Sequence, residues 1–145
     1  MAGSDEAKKL MGGKWIGFDL DGTLANDVHE RWPEPGPPIP EMYERVKTLI
    51  DLGIEVRIVT ARAASAEQIP IVKNWLRKHG LGNLMVTNEK DMDMLELWDD
   101  RAVQVERNSG KPLGPNITDG IISTFTKPES SFELFKSLEK DADEE

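Results

Sequence analysis

Two aspartates stand two residues apart in the run Phe18-Asp19-Leu20-Asp21-Gly22-Thr23, directly behind the short apolar stretch Trp15 to Phe18. A second acidic pair, Asp99-Asp100, follows the apolar stretch Met94 to Trp98. Thr60 ends the β-branched stretch Ile54 to Val59, and Lys90 comes just after Leu84 to Thr87. Phosphoryl transfer to water at neutral pH needs residues of these types. A nucleophile must approach an anionic phosphorus, charge on the phosphoryl oxygens must be neutralised, and the leaving oxygen must receive a proton. Carboxylates can serve as nucleophile and acid/base, but alone they repel phosphate; a divalent cation with a lysine resolves that conflict. In a loop leaving a strand, Asp19 and Asp21 can converge on one cavity. Gly22 permits a sharp turn, Thr60 and its neighbouring N–H groups suit phosphate oxygens, and Lys90 can neutralise both Asp19 and the phosphate. Asp99 and Asp100 suit a hard, oxygen-loving ion such as magnesium.

The same pieces resemble the motifs of the haloacid dehalogenase superfamily. Phe-Asp-Leu-Asp-Gly-Thr-Leu at 18–24 looks like its first motif, Ile58-Val59-Thr60-Ala61-Arg62 its second, Lys90 its third and Leu97-Trp98-Asp99-Asp100-Arg101 its acidic fourth. They stand in the family's order over residues 16 to 101. The resemblance implies that Asp19 is nucleophile and magnesium ligand, passing through an aspartyl-phosphate. It implies that Asp21 is the general acid/base and offers its backbone carbonyl to Mg2+. Thr60 and Lys90 would orient phosphate and nucleophile, Asp100 would ligate the metal directly, and Asp99 would stand behind it. An acid at position 21 points to phosphate rather than halide chemistry. The short interval from Leu24 to Val59 resembles members without a large cap domain, whose open sites take bulky substrates or are closed by a partner subunit, so a homodimer is one expectation. Gly22, Thr23, Arg62, Arg101 and Trp32 are the candidates for substrate contact. The Asp-Asp-Arg run also looks like that of a phage polynucleotide kinase's phosphatase domain, hinting at a nucleotide or nucleic-acid end. Two other readings remain: a phospho-accepting receiver-like domain, which Val59-Thr60-Ala61 and Lys111-Pro112 resemble in fragments, and an inactive scaffold that keeps the metal site.

The elements that must position these residues are legible as patterns. Trp15 to Phe18 reads as a buried strand. Pro40 and Gly53 bracket a helix over Glu41 to Leu52, with Met42, Val46, Leu49 and Ile50 at helical spacing. Ile54 to Val59 alternates as a strand. A second helix is expected over Ser65 to His79, opened by a Ser65/Gln68 capping box, buried through Ile69, Val72, Trp75 and Leu76, and closed at Gly80. His79 at its end would be a partner for the helix dipole. Leu84 to Thr87 and Met94 to Trp98 read as strands, and Ala102 to Val105 as a possible fifth. Asn108 to Asn116 reads as loop and Pro128 to Lys140 as a terminal helix. Short strands between helices predict a Rossmannoid α/β/α sandwich with a mostly parallel sheet, whose ligands gather beyond the strand carboxyl ends. The expected organisation is a flexible leader over 1–13, one hydrolase domain over 14–138 with a proline-rich flap at 25–40, and a disordered acidic tail at 139–145.

Composition narrows the partners. The 145 residues carry a formal net charge of −9 and a pI near 4.8, which disfavours general nucleic-acid binding while leaving room for one phosphoester pocket. There is no cysteine and there are two histidines, His29 and His79, so thiolate chemistry is excluded and a histidine zinc site disfavoured. The absence of cysteine agrees with a cytoplasmic setting. No stretch approaches ~20 consecutive apolar residues, so no membrane partner is expected.

Overall fold

Trp15 and Phe18 of one short strand and Val56 and Ile58 of another are apolar, and all four are buried. They lie at the centre of a four-stranded sheet in a computed structural model that describes residues 2–126 and residue 139. The strands are β1 (Trp15–Phe18), β2 (Glu55–Val59), β3 (Met85–Thr87) and β4 (Met94–Trp98), and the α-helices α1 (Ala2–Met11), α2 (Pro40–Asp51), α3 (Gln68–Lys78) and α4 (Ile117–Thr126). The sheet order is β3-β2-β1-β4 and every pairing is parallel. The protein is thus a small Rossmann-like α/β sandwich, as the patterning predicts. Among the described residues no helix is long and apolar enough to cross a membrane.

Parallel register places Ile16 beside Val56 and Phe18 beside Ile58, so these side chains share one face. Val46 of α2 and Val72, Trp75 and Leu76 of α3 pack into the same cluster, joined by Leu20, Leu24, Ala25 and Leu81. Full burial of a side chain such as Phe18 contributes about 1.5–3 kcal/mol. Trp98 stacks on Phe18 with ring centroids 5.8 Å apart and carries the Arg45 guanidinium on its ring, so it faces this core rather than the cleft. The opposite face carries Trp15, whose indole N–H donates to Asp91 at 2.7 Å, and Arg57, which lies over the Trp15 ring and pairs with Asp91 and Glu55.

The chain order decides where a ligand can sit. From β1 it moves one strand at a time through α2 to β2 and through α3 to β3. It then returns across the sheet to place β4 on the other side of β1. The carboxyl end of β1, where Asp19 follows Phe18, is therefore the topological switch point, the crevice such sheets use for ligands.

Several local expectations are corrected. The leader is not loose: α1 is a helix, with Asp5 in its first turn and Lys8 and Lys9 in its last, each complementing the helix dipole. The Ser65/Gln68 capping box does not form, because Gln68 Oε1 accepts from Arg62 instead and Ser65 ends a 3-10 turn over Ala61–Ala64. Ala102–Val105 is not a strand; it contributes only a bridge between Val105 and Pro112. The chain divides into two compact units, one ending at Asp100 and the next beginning at Arg101. The second unit contains α4, where Asn116 caps the helix by accepting from the Asp119 N–H at 2.8 Å. The terminal helix over 128–140 and the acidic tail lie outside the described residues, Glu139 apart.

Candidate metal and phosphoester site

Beyond β1 the backbone makes a tight turn. The Gly22 N–H donates to the Ala25 carbonyl at 2.8 Å, and the Thr23, Leu24 and Ala25 N–H groups all turn back to the Leu20 carbonyl. Gly22 has φ +90°, and a Cβ there would stand 2.6 Å from Asp100 Oδ2. Only glycine offers both this backbone and this space. The position brings Asp100 close to the turn.

β4 delivers its acidic pair beside β1. The Asp19 N–H donates to the Trp98 carbonyl at 2.9 Å, extending the ladder, so Asp99 and Asp100 emerge next to Asp19. One ligand atom from each of Asp19, Asp99 and Asp100 lies within 4.8 Å of the others. Carboxylate oxygens this close together could hold a metal ion between them. The electrostatics suit it too. Burial, a hydrogen bond with Asp100 and repulsion from Asp99 push the Asp19 carboxyl up to about 7, against an opposing hydrogen bond from the Leu20 N–H. A carboxyl held so high among carboxylates marks a place short of positive charge, which a cation fills in exchange for a proton. Asp99 belongs to this group alongside Asp100.

Thr23 is buried and organises the group. Its hydroxyl approaches Asp19 Oδ2 at 3.4 Å and Asp100 Oδ1 at 3.0 Å, and it accepts from the Asp100 N–H at 3.0 Å. It is a brace between β1 and β4, not the substrate contact expected of it.

Asp21 turns away from the acidic group. Both its oxygens accept from Arg62, Oδ2 from Nε at 2.7 Å and Oδ1 from Nη2 at 3.0 Å. Arg62 is 7% exposed. Its Nη1 also donates to the Pro33 carbonyl and to Gln68 Oε1 at 2.9 Å, and its guanidinium lies 4.4 Å from the centre of the Trp32 ring. Arg62 is therefore fully engaged with protein groups. Thr60 is buried as well, and its hydroxyl accepts from the Arg62 N–H at 3.2 Å, capping the 3-10 turn.

The proline-rich segment is folded down at both ends. An Ala25–Pro38 bridge and the Asn26 N–H on the Pro37 carbonyl at 2.9 Å close its neck. Gly36 packs so tightly against the Asn26 carbonyl that no side chain fits. The Trp75 indole N–H donates to the Gly36 carbonyl at 2.9 Å, so this core tryptophan also pins the flap. His79 meets Trp75 at a tilt, ring centroids 4.7 Å apart, and burial with the neighbouring Lys78 lowers its pKa.

Lys90 departs most from expectation. It is exposed and forms no ion pair with Asp19 or any other described residue. Between Thr87, at the carboxyl edge of β3, and Met94, beside Trp15 at the amino edge of β4, the chain crosses three strand spacings and descends four residues of strand, about 19 Å. Seven residue steps reach about 25 Å at full extension. The run has little slack, and Asp91 ties it down to Trp15 and Arg57. That leaves Lys90 on a strap across the sheet. Arg101 opens the second unit and is exposed.

No protein-family model matches the chain, and no curated protein matches it. Among solved structures, the chain is similar to a conserved protein from Bacteroides thetaiotaomicron, with 22% identity and a TM-score of 0.46 over 74% of this chain and 86% of that one.

Proposed function

We propose that this chain is a magnesium-dependent phosphohydrolase acting through Asp19. The observation that carries the reading is the gathering of Asp19, Asp99 and Asp100 at the switch point, with Asp19 raised to about 7. In this reading an Asp19 oxygen attacks phosphorus as the ester P–O bond breaks, leaving an aspartyl-phosphate. Asp21 gives a proton to the departing oxygen, which requires it to turn from Arg62. Water then attacks phosphorus, Asp21 takes the water's proton, and the bond to Asp19 breaks, releasing phosphate and restoring the carboxylate. A divalent ion held by Asp19, Asp99 and Asp100 would supply the positive charge that draws phosphoryl oxygens to these carboxylates.

The test is hydrolysis of p-nitrophenyl phosphate with Mg2+, with EDTA, and with Asp19→Asn. Turnover is expected only for the unsubstituted protein with Mg2+. Undiminished turnover by the variant would remove Asp19 from its role. A second reading, a metal-binding domain without turnover, is favoured by the placement of Lys90 and by the Arg62 hold on Asp21. Magnesium binding with no hydrolysis of phosphorylated sugars, nucleotides, nucleic-acid ends or phosphopeptides would select it.

A further inference from the structure

Trp32 is 61% exposed, an unusual state for a residue that normally buries most of its ring. One face of the indole rests on the Arg62 guanidinium. That guanidinium is fixed by the bidentate pair with Asp21, by Gln68 and by the Pro33 carbonyl. The ring is thus held in place from beneath, and its neck is pinned by Trp75 and closed by the Ala25–Pro38 bridge. A preorganised ring costs little further ordering when a ligand arrives. Arg62 also links the ring to Asp21: its edge holds the carboxylate at 2.7 and 3.0 Å, and its face meets the indole at 4.4 Å.

We propose that the open face of Trp32 is a stacking platform for a planar ring on the leaving group, making nucleoside monophosphates the substrate class. This rests on the phosphohydrolase reading, in which the leaving oxygen meets Asp21, so the rest of the leaving group extends over Arg62 and Trp32. A sugar alone offers little flat π-surface to the indole; a nucleobase offers a full face, whatever its sequence identity. The cation beneath the ring also strengthens the layered arrangement.

The experiment compares AMP with ribose 5-phosphate, by kcat/KM for the full chain with Mg2+ and by calorimetric binding to Asp19→Asn. AMP is expected to be favoured over ribose 5-phosphate by about 5- to 150-fold, the range of one base–aromatic stack. Trp32→Ala should collapse that ratio toward one, and Trp32→Phe should restore part of it. Equal handling of the two ligands, or a preference that survives Trp32→Ala, overturns the platform. If no phosphoester is hydrolysed, the phosphohydrolase reading fails, and the binding ratio still decides the platform.

Discussion

Cation affinity should depend steeply on pH, because the Asp19 carboxyl stands at about 7 while the site lacks a cation. Binding requires the ionised form. At pH 8 about nine-tenths of this carboxyl is ionised and at pH 5 about one-hundredth, so the apparent Kd for Mg2+ should weaken by about 90-fold, or about 2.7 kcal/mol, across that interval. An unperturbed carboxylate near 3.8 would change by only about 6% over the same range. Titration calorimetry at pH 5, 6, 7 and 8, in buffers of different ionisation enthalpy, measures both the affinity and the proton released. About half a proton should leave on binding at pH 7 and almost none at pH 8. The cation-free protein offers a sign check. Folded Asp19 holds its proton at pH values where the unfolded chain, near 3.8, has lost it, so this group's contribution to stability falls as pH rises from about 4 to about 7. The full interval corresponds to about 4 kcal/mol, which partial exposure reduces to about 2. A Kd that is the same at pH 5 and pH 8, with no proton release at pH 7, would refute the account of the site as a carboxyl group waiting for positive charge.

Two substitutions probe the supports around that group. Thr23→Val removes the hydroxyl that bridges Asp100 to the turn and leaves the Asp100 N–H unmet, so thermal unfolding should show a loss of about 1–3 kcal/mol, together with weaker Mg2+ binding. Thr23→Ser should retain both. Lys90→Ala should alter Mg2+-dependent turnover by less than about threefold, because the strap keeps this side chain out of the group; loss of turnover comparable to Asp19→Asn would show that residues 88–93 leave the sheet during the reaction.

Much of the scaffold was legible because it depends on local pattern. The β1, β2, β3 and β4 stretches, the bracketing of α2 by Pro40 and Gly53, and the apolar stripe of α3 each follow from residue spacing and turn chemistry. The convergence of Asp19 with Asp99 and Asp100 was legible as well, since all three stand just past strand ends in a parallel sheet. α4 gave little warning: Gly120, three isoleucines and four Thr or Ser residues, Thr118, Ser123, Thr124 and Thr126, are weak helix formers. The Ser65/Gln68 box satisfied its local rule, yet Arg62 offered Gln68 a charged donor and won.

What the amino-acid order determined by itself was which residues stand at strand ends, and hence that carboxylates crowd one edge of a parallel sheet. Only tertiary structure decided how the remaining polar groups divide. Asp21 went to Arg62, Thr23 to Asp100, Trp32 onto the guanidinium, and Lys90 to a strap. The physical reason is that strand periodicity is a property of a few neighbouring residues. The partner of a buried charge is set by what else the fold brings within hydrogen-bonding reach, here across intervals as long as the 41 residues from Asp21 to Arg62 and the 77 from Thr23 to Asp100.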